Sequence, residues 1–189
     1  YFVLRNVWVS SLVLSLSLFG DALLSVILPV HADAFGLSLA MVGFLLAINR
    51  IIRIFAYGII VKIAARIGLK TLCLIAATTA VTSTLGYAIL AGAFWLSRSR
   101  AVWGLSYASL LLITLSYAAV NPAKTASRIG LSRSVEQIGP LLAMTVGVWL
   151  ATIIGPKTIF GYLAVCSSVS VALAFFLFEG AKPKTIQRP

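Results

Sequence analysis

The sequence predicts an all-α membrane protein, a bundle of six transmembrane helices. Of its 189 residues, 61% are hydrophobic and only 10% are charged, whereas soluble domains are about half apolar and about a quarter charged. The apolar residues form six runs, and each supplies the ~20 residues that a helix needs to cross the hydrocarbon. None of these runs alternates polar and apolar residues in the ~10-residue units of a membrane β-barrel. The pattern therefore excludes both a soluble domain and a porin-like barrel.

Short polar gaps with turn-forming residues separate the six runs. Gly36, Gly92, the Asn121-Pro122 pair and the Gly155-Pro156 pair mark four of these gaps. Gaps this short make neighbouring spans antiparallel hairpins, and the first run is too long for a signal-peptide core. The predicted bundle covers residues 1–178, with spans at about 7–30, 38–63, 71–90, 94–119, 132–154 and 158–178. Residues 179–189 are expected to form a basic cytoplasmic tail or linker.

The distribution of positive charge predicts the orientation in the membrane. Fifteen Lys and Arg residues stand against four Asp and Glu residues, which gives a net charge of +11. Most of these cations lie in the gaps, so they indicate membrane topology and not a nucleic-acid partner. With the N-terminus inside, the outer loops hold Lys157 with His31 and Asp33, and the cytoplasmic side holds Arg5, Arg66, Lys70, Lys124, Arg128, Lys182, Lys184 and Arg188. We therefore expect both termini in the cytoplasm and a multi-pass protein of the bacterial inner membrane.

Charged and polar residues near the middle of the first two spans are the first candidates for a functional site. Arg50 lies about 18 Å and Arg53 about 22 Å along the second span from its outer end, and Asn49 and Tyr57 share their flank of the helix. Asp21 lies at a similar depth in the first span. Charges at this depth usually face a bundle interior or a cavity and pair with one another. We expect Asp21 to pair with Arg50 or Arg53, either in a transport pathway or as a structural ion pair.

The fourth and fifth spans add further candidates. Arg100 lies about 9 Å inside the fourth span, with Gly104 on the same side, and an inward orientation is favoured over one that reaches the interface. Glu136 lies in the first turns of the fifth span, three residues after Arg133. A local Arg133–Glu136 pair is the simpler interpretation, and a proton-carrying Glu136 is the alternative.

Small residues recur every four positions along the fifth span. Gly139, Ala143, Gly147 and Ala151 form a stripe that lets another helix approach closely. Pro140 removes one backbone donor and can bend the helix at this stripe. We expect the stripe to serve helix packing, with a hinge for conformational change as a further hypothesis.

The loop between the second and third spans introduces a family resemblance. Its sequence, AARIGLK, occupies the position of the cytoplasmic signature of major facilitator superfamily transporters, and Arg66, Gly68 and Lys70 match that signature. Ala65 stands where the signature has an aspartate, and Val61 stands where it has its leading glycine. The family's aspartate helps to latch helices in the outward-facing state, so the departure puts that latch in doubt.

Two further motifs carry the same resemblance. Arg100 followed by Gly104 is similar to the family's arginine motif of helix four, which is linked to proton or substrate handling. Gly139 and Pro140, with Gly147, partly match the antiporter motif of helix five. The resemblance covers nearly the whole chain but only the N-terminal six-helix half of a family whose members have twelve helices.

The resemblance implies half of a secondary active transporter that works by alternating access. Because cations outnumber acids among the candidates, we expect a small anionic or amphiphilic substrate, with Asp21 as the group that couples to protons. Expected partners are membrane lipids and a second six-helix bundle, encoded by the same gene beyond this sequence, by a separate chain or by another copy. The alternative is an auxiliary or assembly subunit with a structural role. The sequence shows no metal-ligand cluster, no nucleophile-base pair and no glycine-rich phosphate loop. We therefore expect that the protein is not an enzyme and that it binds no cofactor and no metal.

Overall fold

A computed structural model describes residues 2–120 and 122–177 of the chain. Within these ranges every regular element is helical, and six helices are long and apolar enough to cross a membrane. The prediction of an all-α, six-span membrane protein is confirmed. The expected tail at 179–189 lies outside the described residues, as does Asn121.

The first span consists of two helices, and the fifth contains a wider turn. Helices α1 and α2 meet at Leu18 and together form the first span, and the second, third and fourth spans are α3, α4 and α5. The fifth span comprises α6, a π-helical turn and α7, and α8 is the sixth. Their bounds are α1 Phe2–Ser17, α2 Phe19–Val30, α3 Leu39–Ile67, α4 Leu69–Ile89, α5 Ala93–Ala118, α6 Thr125–Leu142, the π-helical turn Ala143–Gly147, α7 Val148–Ile154 and α8 Thr158–Phe175.

Local sequence explains where several helices begin and end. The side chain of Ser38 accepts a hydrogen bond from the Met41 amide at 3.4 Å and caps the start of α3. Gly68 separates α3 from α4 with φ +85°, a backbone conformation that favours glycine. Helix α6 begins at Thr125, seven residues before the predicted span, because the polar stretch that precedes Ser132 is helical too.

The first and fourth spans form the centre of the bundle. The second span packs mainly on the fourth, the fifth packs mainly on the first, and the third packs between the fourth and the sixth. Only 22% of the most apolar stretch of the second and fifth spans is buried, compared with 67% in the first span and 61% in the fourth. Hairpin partners along the chain are thus not always close neighbours: the third and fourth spans pack on each other, but the first and second spans contact each other little.

The stripe of small residues on the fifth span packs against the first span. The Gly139 amide donates to Ser15 Oγ at 2.8 Å, and a Cβ added to Gly147 would lie 3.2 Å from a methyl group of Leu23. Ala143 and Ala151 are buried in the same contact region. The helix continues through Pro140 and widens into the π-helical turn three residues later.

Candidate functional site

A cavity of about 450 Å³ lies between the first, second and fourth spans. It brings together most of the charged residues that the sequence indicated, although they come from three separate helices. Its lining is Asp21, Ser25, Leu46, Ala47, Asn49, Arg50, Arg53 and Arg100. Four of these eight residues carry a formal charge.

The carboxylate of Asp21 pairs with Arg100. Arg100 Nη1 bonds to Asp21 Oδ1 in a salt bridge, and Arg100 Nε donates to the backbone carbonyl of Leu45 at 3.3 Å. Asn49 Nδ2 adds a hydrogen bond to Asp21 Oδ1 at 3.3 Å. Arg100 is only 2% exposed, so it faces the interior of the bundle.

This geometry corrects the expected pairing of Asp21 with Arg50 or Arg53. The expectation assumed that the first two spans contact each other because they are joined by a short loop. In the structure the fourth span packs on both of them, and Arg100 therefore reaches Asp21. Depth along the helices correctly predicted which residues lie at the same level in the membrane. It contains no information about which helix packs between two others.

The guanidinium of Arg53 is held between an amide and two aromatic rings. Arg53 Nε donates to Asn49 Oδ1 at 2.9 Å. Its Cζ lies 3.7 Å from the centroid of the Tyr107 ring and 5.3 Å from that of Trp103, and the two rings stack on each other at 5.4 Å. A cation over an aromatic face gains about 0.5–2 kcal/mol, most where water is excluded. This aromatic platform fixes the position of Arg53 at the edge of the cavity.

Arg50 also lines the cavity, three residues before Arg53 on the second span. It is exposed, and neither Arg50 nor Arg53 forms an ion pair with any carboxylate in the described part of the chain. Three guanidinium groups thus face the cavity with one carboxylate, that of Asp21, and Arg100 already neutralises it. The surplus positive charge resides on Arg50 and Arg53.

A glycine allows the second and fourth spans to approach at this site. A Cβ added to Gly104 would lie 3.0 Å from both the backbone carbonyl oxygen and the Oδ1 of Asn49. Gly104 therefore leaves room for the amide that joins Asp21 to Arg53. The sequence indicated Gly104 as the glycine that follows Arg100 in the arginine motif, and its contact is with Asn49.

The other predicted site residues lie outside the cavity lining. Tyr57 is half-buried against the apolar core on the second span. Glu136 is only 3% exposed; it accepts a hydrogen bond from Arg133 Nη1 at 2.7 Å and one from the Tyr107 hydroxyl at 3.3 Å. The local Arg133–Glu136 pair is thus present, and Tyr107 ties it to the fourth span.

The loop-motif residues lie at the junction of the second and third spans. Arg66 is exposed in the last turn of α3, Gly68 forms the junction, and Lys70 is half-buried in the first turn of α4. On α3 the motif lies beyond Arg53, the last cavity residue of that helix, and α4 contributes no residue to the cavity lining. The structure shows where these three residues lie but does not test their role, which stays a prediction.

Sequence reasoning did not select the aromatic platform. Trp103 and Tyr107 are three and seven residues beyond Arg100, which places all three on one face of α5. That spacing was visible, but aromatic residues at helical spacing are common in any apolar core. Only the approach of Arg53 from another helix distinguishes these two rings.

The fold and the site together define a multi-pass membrane protein with a charged internal cavity, the architecture of a solute transporter. Residues 10–189 match the sequence model of the Major Facilitator Superfamily, and the chain belongs to that family. Its six spans correspond to one six-helix half of the superfamily's fold, as the resemblance implied. No curated protein matches the chain.

Proposed function

We propose that this chain forms half of a secondary active transporter that moves a small anionic or amphiphilic substrate by alternating access. The observation that carries the proposal is the positive charge of Arg50 and Arg53, which no carboxylate of the described residues pairs, beside the neutralised Asp21–Arg100 pair. Charges this deep in a bundle are costly and usually mark a substrate or ion pathway. An anion in the cavity would receive charge-assisted hydrogen bonds from guanidinium groups.

The position of Arg53 supports its role as the principal anion-binding residue. Asn49 occupies its Nε and the rings of Trp103 and Tyr107 cover one face, so the two terminal nitrogens are left for a ligand. A guanidinium that is held in advance loses little conformational freedom on binding. Arg50, which is exposed, adds a second donor that is free to adapt to the shape of the anion.

A second six-helix bundle would complete the pathway. The second and fifth spans leave apolar side chains uncovered by this chain, among them Ile54, Phe55 and Ile59 on the second, and Leu141 and Trp149 on the fifth. A partner bundle that packs on these spans would enclose the cavity and allow the two bundles to rock about it. The same gene beyond this sequence, a separate chain or another copy of this one would supply it, and membrane lipids would cover the remaining apolar surface.

Asp21 is the proposed coupling group. When ionised, it binds Arg100 and holds the first span to the fourth. Uptake of a proton would free Arg100 for the substrate, and loss of the proton would restore the pair and release the substrate. This cycle needs no cofactor, and we place it in a bacterial inner membrane.

Transport by the complete gene product, reconstituted in proteoliposomes, tests the proposal. We expect uptake of a labelled organic anion that Arg53→Gln lowers at least tenfold, whereas Arg98→Gln, on the exposed arginine beside Trp95, leaves it unchanged. Asp21→Asn should transport without responding to a pH gradient. Equal loss in the Arg53 and Arg98 variants, or intact pH coupling in Asp21→Asn, would remove the basis for the proposal.

A structural subunit is the second candidate, because the Asp21–Arg100 pair alone would join two helices without any substrate. Exchange of the two charges, Asp21→Arg with Arg100→Asp, separates the two functions. If the pair is only structural, the exchanged protein should be expressed and assembled normally, and neither protein should transport a substrate. A transporter would keep its fold but lose coupled uptake.

A further inference from the structure

A line of side-chain contacts runs from the cavity to a second buried carboxylate. Arg53 bonds to Asn49 on its cavity side, and the Tyr107 ring lies 3.7 Å from its Cζ on the other. The Tyr107 hydroxyl donates to Glu136 Oε1 at 3.3 Å, and Arg133 Nη1 donates to Glu136 Oε2 at 2.7 Å. The line therefore joins the second, fourth and fifth spans through residues that each contact the next.

The surroundings of Glu136 single it out among the carboxylates that the structure describes. Arg133 faces it from its own helix, Tyr107 faces it from the fourth span, and Arg53 lies behind the Tyr107 ring. The first span presents serine hydroxyls to this helix, and its own carboxylate, Asp21, lines the cavity instead. Glu136 is thus a buried anion between two cations.

The far end of this line lies at the surface of the bundle. The Arg133 side chain is 46% exposed, whereas that of Glu136 is 4% exposed. A proton would therefore have a short route to Glu136 past the exposed Arg133 side chain, on the side of the membrane where α6 begins. The opposite end of the line, at Arg53, opens into the cavity.

We propose that Glu136 is a second proton-accepting carboxylate of this transporter and that Tyr107 is the positioning residue that joins it to Arg53. The inference rests on the proposed function, because it requires an anion at Arg53. An ionised Glu136 reduces the positive potential that the anion meets. When Glu136 takes one proton from water, that negative charge disappears and anion binding strengthens, and by linkage a bound anion promotes protonation.

The size of the effect follows from Coulomb's law. The contacts through Tyr107 keep Glu136 within about 10 Å of Arg53, and one unit charge at about that distance changes an affinity by about tenfold at an effective dielectric constant near 20. The effect on binding is therefore measurable although the two side chains never touch. A residue that served only to pack the helices would not shift the affinity in a pH-dependent way.

Binding of benzenesulfonate to the complete gene product in nanodiscs, measured by calorimetry over a pH series, tests the inference. This probe stays ionised throughout, so any pH dependence belongs to the protein. At high pH we expect Glu136→Gln to bind about tenfold more tightly than the unmodified protein, and at low pH we expect the two affinities to converge. Because Asp21 is present in both proteins, its own titration cancels in this ratio.

Tyr107→Phe supplies the second variant, with Tyr162→Phe on an exposed tyrosine of the sixth span as its matched control. Phenylalanine keeps the ring over Arg53 but removes the donor to Glu136. The pH dependence of binding should then differ from that of the unmodified protein, whereas Tyr162→Phe should leave it unchanged. This variant also tests the inference if Glu136→Gln does not fold.

Two results distinguish failure of the inference from failure of the proposed function. Benzenesulfonate binding that is the same in the unmodified protein and in Glu136→Gln at every pH, or unmoved by Tyr107→Phe, overturns the link to Glu136 and leaves the anion site intact. Absence of binding by the unmodified protein at every pH contradicts the anion site itself.

Discussion

Replacement of Arg100 by glutamine would leave Asp21 without the cation that neutralises it. The Arg100 side chain is 3% exposed and that of Asp21 is 15% exposed, so both charges are largely withdrawn from water. Breaking a buried ion pair by removing one partner costs about 3–5 kcal/mol. Asn49 still donates to Asp21, and the cavity reaches its carboxylate. We therefore expect Arg100→Gln to lower the free energy of unfolding by about 3 kcal/mol, at the lower end of that range.

The double variant Asp21→Asn with Arg100→Gln isolates the pair. Two neutral amides can hydrogen-bond to each other and leave no buried charge, so about 2 kcal/mol of the loss should return as a coupling energy. Denaturant titration in mixed micelles, followed by the fluorescence of the four tryptophans, measures the unmodified protein, the two single variants and the double variant. Arg98→Gln is the control and should change stability by less than about 0.5 kcal/mol. A single variant as stable as this control, or a double variant whose loss equals the sum of its singles, would refute the reasoning.

Two further predictions concern packing and topology. Gly139→Ala would place a methyl group against the backbone carbonyl of Ser15, and we expect thermal unfolding in detergent to show that stability falls by about 2 kcal/mol. The control is Gly130→Ala, whose added methyl group meets nothing within 4 Å and should be neutral or stabilising. Equal effects of the two substitutions would contradict the close approach of the helices at Gly139. Single cysteines at Arg66 and Lys157, in a background without native thiols, should react with an impermeant maleimide from opposite sides of the membrane, with Lys157→Cys labelled from outside. Labelling of Arg66→Cys from outside would reverse the orientation, and labelling of both from one side would contradict the topology.

The fold was readable from the sequence because a bilayer leaves few choices. An apolar run of about 20 residues must satisfy its backbone polar groups internally, and a helix does so within one segment. The extra helical turns before Ser132 were missed because they are polar, and length and hydropathy detect only the part of a helix that crosses lipid. The interruption of the first span at Leu18 leaves no signal of this kind.

The members of the site were more predictable than their contacts. The cost of a charge in a membrane singles out Asp21, Arg53 and Arg100 wherever the helices lie. Which of them pair depends on helix neighbours, and in this bundle the fourth span packs on both the first and the second. The contact of Arg53 with Tyr107 depends on the same helix packing. The position of the fourth span therefore explains why the sequence predicted neither the Asp21–Arg100 pair nor the aromatic platform.

The most direct test of the anion-binding cavity compares two ligands of similar shape and opposite charge. Binding of benzenesulfonate and of phenyltrimethylammonium to the complete gene product is measured in the same nanodiscs, with and without Arg50→Gln and Arg53→Gln. We predict that only benzenesulfonate binds and that the double variant loses at least tenfold in affinity. Equal or tighter binding of the cation, or anion binding that persists unchanged in the double variant, would contradict the account.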